Sequence, residues 1–371
     1  MTEVAAPLDR TDELLPELPH RVVSPFEFWP GLVFYAPVAL YWAWQGLRHR
    51  SFTLPAIANP LMEHGGLCGE SKVRLFASMG EEGRRWLAPY VSIKRGGSAE
   101  LDDDVERLLE LAEGEGLDFP LVAKPDIGCH GAGVRVVRDR AELRRYLTGF
   151  PSGEALLLQR LIDHEGEAGI FYVRPPGERN GYIFSLTLKF FPFVRGDGSS
   201  TLEQLIRADP RAGRVSHLYL PRHRQRLGWV PAREEKVRLV FVGNHCKGAV
   251  FRNGMDLITP ALTRRIDALA KTIPAFHFGR FDVRFSSLAR LQRGEGFNVI
   301  EFNGGGSEAI HIWDADTTLS AAYRDLFRQV RLLFEIGAIQ RDNGYVPDSW
   351  FRILGAWRRE WRLKQRYPIT E

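Results

Sequence analysis

Gly279-Arg280-Phe281-Asp282-Val283-Arg284, followed 19 residues after Asp282 by Glu301-Phe302-Asn303, is the stretch from which the rest of this sequence is read. Residues two apart on a strand share a face. Arg280 and Asp282 are therefore expected on one face of a first strand, and Glu301 and Asn303 on one face of a second. Phe281, Val283 and Phe285 would enter a core behind the first strand, and Ile300 and Phe302 behind the second. Antiparallel pairing would then gather Asp282, Glu301 and Asn303 as three hard oxygen donors. Such a set suits Mg²⁺, with Mn²⁺ as an alternative ion, because Mg²⁺ takes few protein ligands and completes its octahedron with water and phosphate. Arg280 beside them suits a phosphate or a developing oxyanion. A solvated hairpin face with one salt bridge would carry the same residues, so the upstream sequence has to decide.

That upstream segment is Phe119-Pro-Leu-Val-Ala-Lys124-Pro-Asp-Ile-Gly128-Cys-His-Gly131-Ala-Gly133-Val-Arg-Val-Val-Arg138. It reads as a short buried strand ending in Lys124, a loop with three glycines, and a second strand over Val134–Val137. Asp139 then opens a helix, with Glu142 completing a capping box. Rossmann and Walker loops lead straight into a helix, and GxxGxG without GK[ST] matches neither. A glycine loop between two strands is a flap whose backbone N–H groups close over polyphosphate, with Lys124 at its base. Cys129 and His130 inside the flap are read as backbone placeholders. Next, Ala155–Ile162 is a short apolar strand and Asp163–Glu167 a polar segment, an order that suits adenine held by backbone groups and ribose held by a carboxylate.

The order of these motifs resembles the ATP-grasp superfamily, especially the carboxylate–amine ligases similar to D-alanine–D-alanine ligase, over about residues 71–335. Val194-Arg-Gly196-Asp197-Gly198-Ser-Ser-Thr201-Leu-Glu-Gln-Leu-Ile206 looks like a loop of cyanophycin synthetase-type members. The resemblance implies an α+β, ATP-grasp fold: two α+β subdomains gripping ATP over 71–340, with a flap subdomain at about 72–160. It implies Lys72 and Lys124 on nucleotide phosphates together with the flap glycines Gly128, Gly131 and Gly133. Gln159, Arg160, Leu161 and Ile162 would form the hinge over adenine, and Glu167 would bind ribose. Asp282, Glu301 and Asn303 fall at the family's metal positions, Arg280 where reaction charge is stabilised, and Lys189 at the γ-phosphate. Acceptor contacts are implied around Ser307 and Glu308 in the glycine turn after Asn303. Asn244 and His245 would line the same cavity, although His245 reads equally well as a satisfied histidine at a strand end. The implied activity is ATP-dependent joining of a carboxylate to an amine through an acylphosphate. An ATP-grasp phosphotransferase and a catalytically silent ATP-binding regulatory module are the alternatives. No GxSxG or defensible Cys–His pair offers a protein nucleophile.

Composition bounds the rest. The chain has 371 residues, 44% hydrophobic and 26% charged, an ordinary globular balance. Cys68, Cys129 and Cys246 are too few and too scattered for a disulfide framework or a zinc site, which points to a reducing cytoplasm. The first 20 residues lack the basic start and apolar run of a secretion signal. Between Trp350 and Glu371 six Arg/Lys and two Glu account for the whole net charge of +4. The remainder is formally neutral, which argues against a nucleic-acid partner.

Residues 1–70 depart from the family, whose ligases usually begin with a Rossmann-type domain. Phe28–Trp44 is instead uncharged and aromatic. It is short for a spanning helix, which needs about 20 residues, and Pro30 and Pro37 interrupt it. A buried hydrophobic hairpin is the main expectation; an interfacial element with Arg48 and Arg50 at its exit comes second and transmembrane insertion third. In the tail, 341–371, a helix would place Trp350, Leu354, Trp357 and Trp361 in one stripe and Arg352, Arg359, Arg362 and Arg366 opposite. Either the Trp stripe packs on the body, or this is a membrane-surface helix. The second reading makes 28–50 and 350–366 a peripheral platform on the anionic inner face of a membrane, serving a small-molecule or lipid-linked carboxylate and amine. A homodimer is left open as the quaternary state.

Overall fold

The computed structural model describes residues 22–128, 131–240, 243 and 248–370. In chain order, helix α1 (Gly31–Arg48) is followed by α2 (Lys72–Ser78) and the short α3 (Glu81–Arg84). Strand β1 (Tyr90–Lys94), helix α4 (Leu101–Gly114), β2 (Leu121–Pro125), β3 (Arg135–Val137), α5 (Arg140–Gly149) and β4 (Ala155–Arg160) make a smaller lobe. Strands β5 (Gly166–Val173) and β6 (Tyr182–Phe190) begin a larger sheet. An excursion follows, containing β7 (Phe193–Arg195), α6 (Leu202–Ala208), α7 (Ser216–Tyr219) and β8 (Lys236–Arg238). Strand β9 (Val250–Asn253), α8 (Pro260–Lys271), β10 (Phe278–Phe285), α9 (Leu288–Gln292) and β11 (Phe297–Asn303) complete the larger lobe. Helices α10 (Leu319–Asp342) and α11 (Trp350–Lys364) follow.

Among the described residues the strands form antiparallel sheets ordered β1-β4-β2-β3, β11-β10-β5-β6-β9 and β7-β8, so the expected α+β class is observed. In the smaller lobe, α4 and α5 cover one sheet face, burying Val105, Leu108, Leu143 and Leu147 against Val91, Leu121, Leu156 and Leu158. Asp139 caps α5 by accepting the Glu142 N–H, as its sequence requires. In the larger lobe, Phe276, Phe281 and Phe302 meet with ring centroids 5.4–6.0 Å apart, over α2 and α8. Each fully buried Phe contributes roughly 1.5–3 kcal/mol, and this cluster fixes the hairpin whose opposite face is charged.

Two expectations need correction. Alternation predicts Ile300 in the core, but Val299 takes that position at 0% exposure while Ile300 is only half-buried. The register pairs Asp282 with Glu301 and then Val283 with Val299, leaving Ile300 as the extra residue of a β-bulge. The expected hairpin at 28–44 is a single helix, α1. Pro30 sits at its N-cap position, where no N–H is needed, and Pro37 lies inside. Pro37 leaves the carbonyl four residues back, on exposed Val33, open to water, so the helix continues at a small cost. Phe34 of α1 packs on Trp313 and Tyr323, and Trp42 on Phe334 of α10, while Leu32, Leu40 and Leu47 stay exposed. No helix among the described residues is long and apolar enough to cross a membrane.

Helix α11 lies against the smaller lobe with an unexpected face. Leu363 is buried there, Glu360 accepts the Gly69 N–H at 2.9 Å, and Ile353 accepts from the Cys68 thiol. Small Ala356 permits this approach: a Cβ on Gly69 would already sit 3.2 Å from the Ala356 Cβ. The Trp stripe therefore does not pack on the body; Trp350, Trp357 and Trp361 remain 54–56% exposed.

Candidate active site

The charged face of the hairpin is built from neighbouring rows of the larger sheet. In one row Glu301, Asp282, Gly169 and Thr187 lie side by side across β11, β10, β5 and β6. In the next row Arg284, Glu167 and Lys189 are neighbours. Gly169 leaves the space above Asp282 open: a Cβ there would stand 3.1 Å from Arg280 Cδ and 3.3 Å from Asp282 Oδ1. Arg280 and Lys189 fill that space. Arg280 donates from Nε to Asp282 Oδ1 at 2.8 Å and from Nη2 to Oδ2 at 3.1 Å. Lys189 Nζ lies 3.1 Å from both Asp282 Oδ1 and Glu167 Oε1. Arg284 completes the row at 3.1 Å from Glu167 Oε2. Burial opposes ionisation of Asp282, but Arg280 and Lys189 outweigh it and hold the carboxyl down at about 2. The same pairing raises the Arg280 value despite burial.

The smaller lobe and α2 bring the remaining cations. Lys124 leaves the end of β2 and donates to Gln159 Oε1 at 2.7 Å and to the Ile300 carbonyl at 2.9 Å. The bulge that displaces Ile300 thus presents the carbonyl that holds Lys124. Burial lowers the Lys124 pKa to about 8, with Glu301 and Asp282 pulling the other way. Lys72, at the first turn of α2, donates to the Gly128 carbonyl at 2.7 Å and lies 3.4 Å from Glu301 Oε1. Burial opposes its charge, yet Glu301, Glu70 and Asp126 raise its pKa. Lys124 and Arg280 each sense both Asp282 and Glu301, so the two carboxylates converge on one space. Among the described residues no three His, Cys, Asp or Glu cluster as a metal site. The donors available are two opposed carboxylates and Asn303, which faces Arg280 in register. That set fits a Mg²⁺ ion that keeps water and phosphate ligands.

The flap residues are tied down at several points. The Gly131 carbonyl accepts from Thr370 Oγ1 at 2.8 Å, the Gly133 N–H donates to the same oxygen at 3.2 Å, and Tyr367 donates to Ile127. Gln159 is buried, its amide donating to the Ala88 carbonyl at 3.0 Å. Arg160 donates to Gly116, and Leu161 and Ile162 form the half-buried link from β4 to β5, between the lobes. Ser307 Oγ caps the turn through Gly304 O at 2.6 Å. The Glu308 carbonyl accepts from Arg280 at 2.9 Å, while its carboxylate accepts from Tyr35 and Trp313, both at 2.7 Å. That turn rests on another glycine segment, since a Cβ on Gly66 (φ +75°) would lie 2.5 Å from Gly304 Cα. Asn244 and His245 lie outside the described residues, as do Cys129 and His130.

Sequence reasoning passed over three participants. Glu70 is held near 8 by burial, against the pull of Lys72 and with Glu301 adding to the rise. Asp126 accepts from Ser71 Oγ and the Val73 N–H, anchoring α2 to the flap base. Arg284 was visible in the hairpin motif two residues past Asp282, on the same face.

The chain matches no protein-family model and no curated protein. Solved structures that it resembles include a D-alanine–D-alanine ligase from Bacillus anthracis, at 15% identity and TM-score 0.41, covering 76% of this chain and 72% of that one. A VanG D-Ala:D-Ser ligase from Enterococcus faecalis gives 16% identity and TM-score 0.39, covering 72% and 64%. A bifunctional glutathione synthetase from Pasteurella multocida gives 16% and 0.34, covering 67% of this chain, which spans only 35% of that enzyme.

Proposed function

We propose that this protein is an ATP-dependent ligase that joins a carboxylate to an amine through an acylphosphate. The observation that supports it most is the opposition of Asp282 and Glu301 across β10 and β11 inside a ring of Lys72, Lys124, Lys189 and Arg280. Phosphoryl transfer asks a protein for charge and alignment more than for a nucleophile. Asp282, Glu301 and Asn303 would hold Mg²⁺, which supplies charge neutralisation at phosphate oxygens. Lys72, Lys189 and Arg280, now matched by carboxylates, and Lys124, now held by the Gln159 amide oxygen and the Ile300 carbonyl, would exchange those partners for phosphate oxygens. A substrate carboxylate oxygen then attacks the γ-phosphorus, and the bond from it to the bridging oxygen of ADP breaks. The amine nitrogen adds to the acyl carbon, Arg280 stabilises the oxyanion, and C–O cleavage releases phosphate as the amine proton leaves. Lys189 and Lys124 position the γ- and β-phosphates, Gln159 to Ile162 border the base, and Glu167 borders the ribose.

The test is ADP release screened against pools of carboxylates and amines. Release that needs both supports the ligase. Release without an amine, leaving a stable phosphoester, would make it a phosphotransferase, and no release a silent module.

The exposed Leu32, Leu40 and Leu47 of α1, with the uncovered Trp357 and Trp361 beside the arginines of α11, support a cytoplasmic enzyme working at an anionic membrane surface on a lipid-linked substrate. Co-sedimentation with anionic vesicles tests this, and equal binding by Trp357→Ser/Trp361→Ser would refute it. Truncation of the tail is a poorer test, because it also removes the Tyr367 and Thr370 contacts to the flap.

A further inference from the structure

A cavity of about 930 Å³ opens between β3 of the flap, the segment from Pro221 to Trp229, β8 and the residues Ile369 and Thr370. Arg135, Arg138, Arg222, Arg226, Lys236 and Arg238 line it, against a single carboxylate, Glu235. None of the phosphate- or metal-facing residues described above lines it. This density of charge is not a property of the chain at large, which is formally neutral before residue 350.

Arg222, Arg226 and Lys236 are met by neutral groups, whereas Arg138 pairs with Glu142 and Arg238 feels Glu165 and Glu167. Arg222 donates to the carbonyls of Thr370 and Leu218. His223 is buried, and desolvation keeps its imidazole pKa low. Its Nε2–H donates to the Leu239 carbonyl at 3.0 Å, which leaves Nδ1 to accept from Arg226 at 3.1–3.2 Å. Arg226 also lies over Trp229, Lys236 over Phe193, and Arg238 over Phe191 at 3.5 Å. Glu235 turns its carboxylate to the Ala232 N–H, and Arg138 pairs with Glu142 outside the cavity wall. Guanidinium forks fixed in this way match phosphate or carboxylate oxygens bidentately.

We infer that this cavity is a subsite for a small polyanion, a molecule bearing several phosphate or carboxylate groups. As a substrate site it rests on the ligase reading, with the polyanion as the acid or amine partner; as a binding site it stands alone. Thr370 joins the cavity to the flap, since its carbonyl holds Arg222 and its hydroxyl holds Gly131 and Gly133.

The experiment is calorimetric titration of the full chain with inorganic tripolyphosphate and, separately, citrate, which tell a phosphate ligand from a carboxylate one. Wild type should bind at least one probe, more weakly as salt rises. Arg135→Gln/Lys236→Gln should weaken that binding about ten-fold and Arg226→Gln alone by less, with ATP binding unchanged in each. Lys124→Met should leave the probe's affinity as it is. The inference is overturned if neither probe binds, if the double variant binds equally, or if Lys124→Met abolishes the binding. Loss of ATP binding in the double variant would also overturn it, since the cavity would then be the nucleotide's. Failure of the ligase reading appears separately, as absent ADP release with probe binding intact.

Discussion

The buried charges around Asp282 and the open basic cavity at β8 resolve the same problem differently. Around the hairpin, Lys189, Arg280 and Arg284 are largely removed from water, and Asp282 and Glu167 match them at 2.8–3.1 Å. At the cavity six cations and one carboxylate line the wall, with Glu142 behind Arg138 and Glu165 and Glu167 near Arg238. Two like charges about 8 Å apart cost ~0.5 kcal/mol in water and about 2 kcal/mol at an effective dielectric of 20. Solvent therefore tolerates the cavity's imbalance, whereas an unmatched buried charge costs several kcal/mol. A compensated cluster is stable as it stands and can exchange its partners. An uncompensated one is completed by an anion.

The sharpest break between the two regions would come from Asp282→Asn. Turnover should fall by roughly a thousand-fold or more, and unfolding in urea should show about 3 kcal/mol lost, because Lys189 and Arg280 would lose their shared carboxylate. Glu301→Gln should match the loss of turnover but cost under ~1 kcal/mol, since its side chain is 29% exposed and pairs with one lysine. Similar destabilisation by both would remove the distinction between buried and half-open acids.

Acid titration extends the contrast. The Asp282 pKa falls from 3.8 to about 2 on folding, so its contribution is complete above 3.8 and is lost as pH drops through 2. That contribution is ~2 kcal/mol, and Asp282→Asn should lack it when both proteins are followed by near-UV circular dichroism.

Lys124→Met should weaken ATP binding by about ten-fold at neutral pH. Wild-type affinity should decline as pH rises through 8, where Lys124 loses its proton, and the variant should be flat across that range in the same fluorescence titration. At the cavity the sign reverses: Arg135→Gln/Lys236→Gln should gain about 0.5–1 kcal/mol in thermal unfolding by relieving repulsion. A loss of stability would show that these cations have structural partners after all. The smallest effect belongs to Trp357→Ser/Trp361→Ser, whose melting should stay within ~0.5 kcal/mol of wild type because both side chains are half in water.

The alternation in Arg280-Phe281-Asp282-Val283 and Glu301-Phe302-Asn303 was sufficient, without coordinates, to give an antiparallel hairpin with one apolar and one charged face, because strand period and burial are local rules. The strand–glycine loop–strand–helix order around Lys124 was equally legible, down to the Asp139 cap. Tertiary structure alone decided the bulge that exchanges Val299 for Ile300, the docking of α11 by Ala356 and Leu363 instead of its tryptophans, and the continuation of α1 through Pro37. It also decided the meeting of Arg135 with Lys236, a hundred residues apart in sequence, in one cavity. Each of these depends on which surfaces come together and how much room they leave, and residue spacing along a chain carries no record of that.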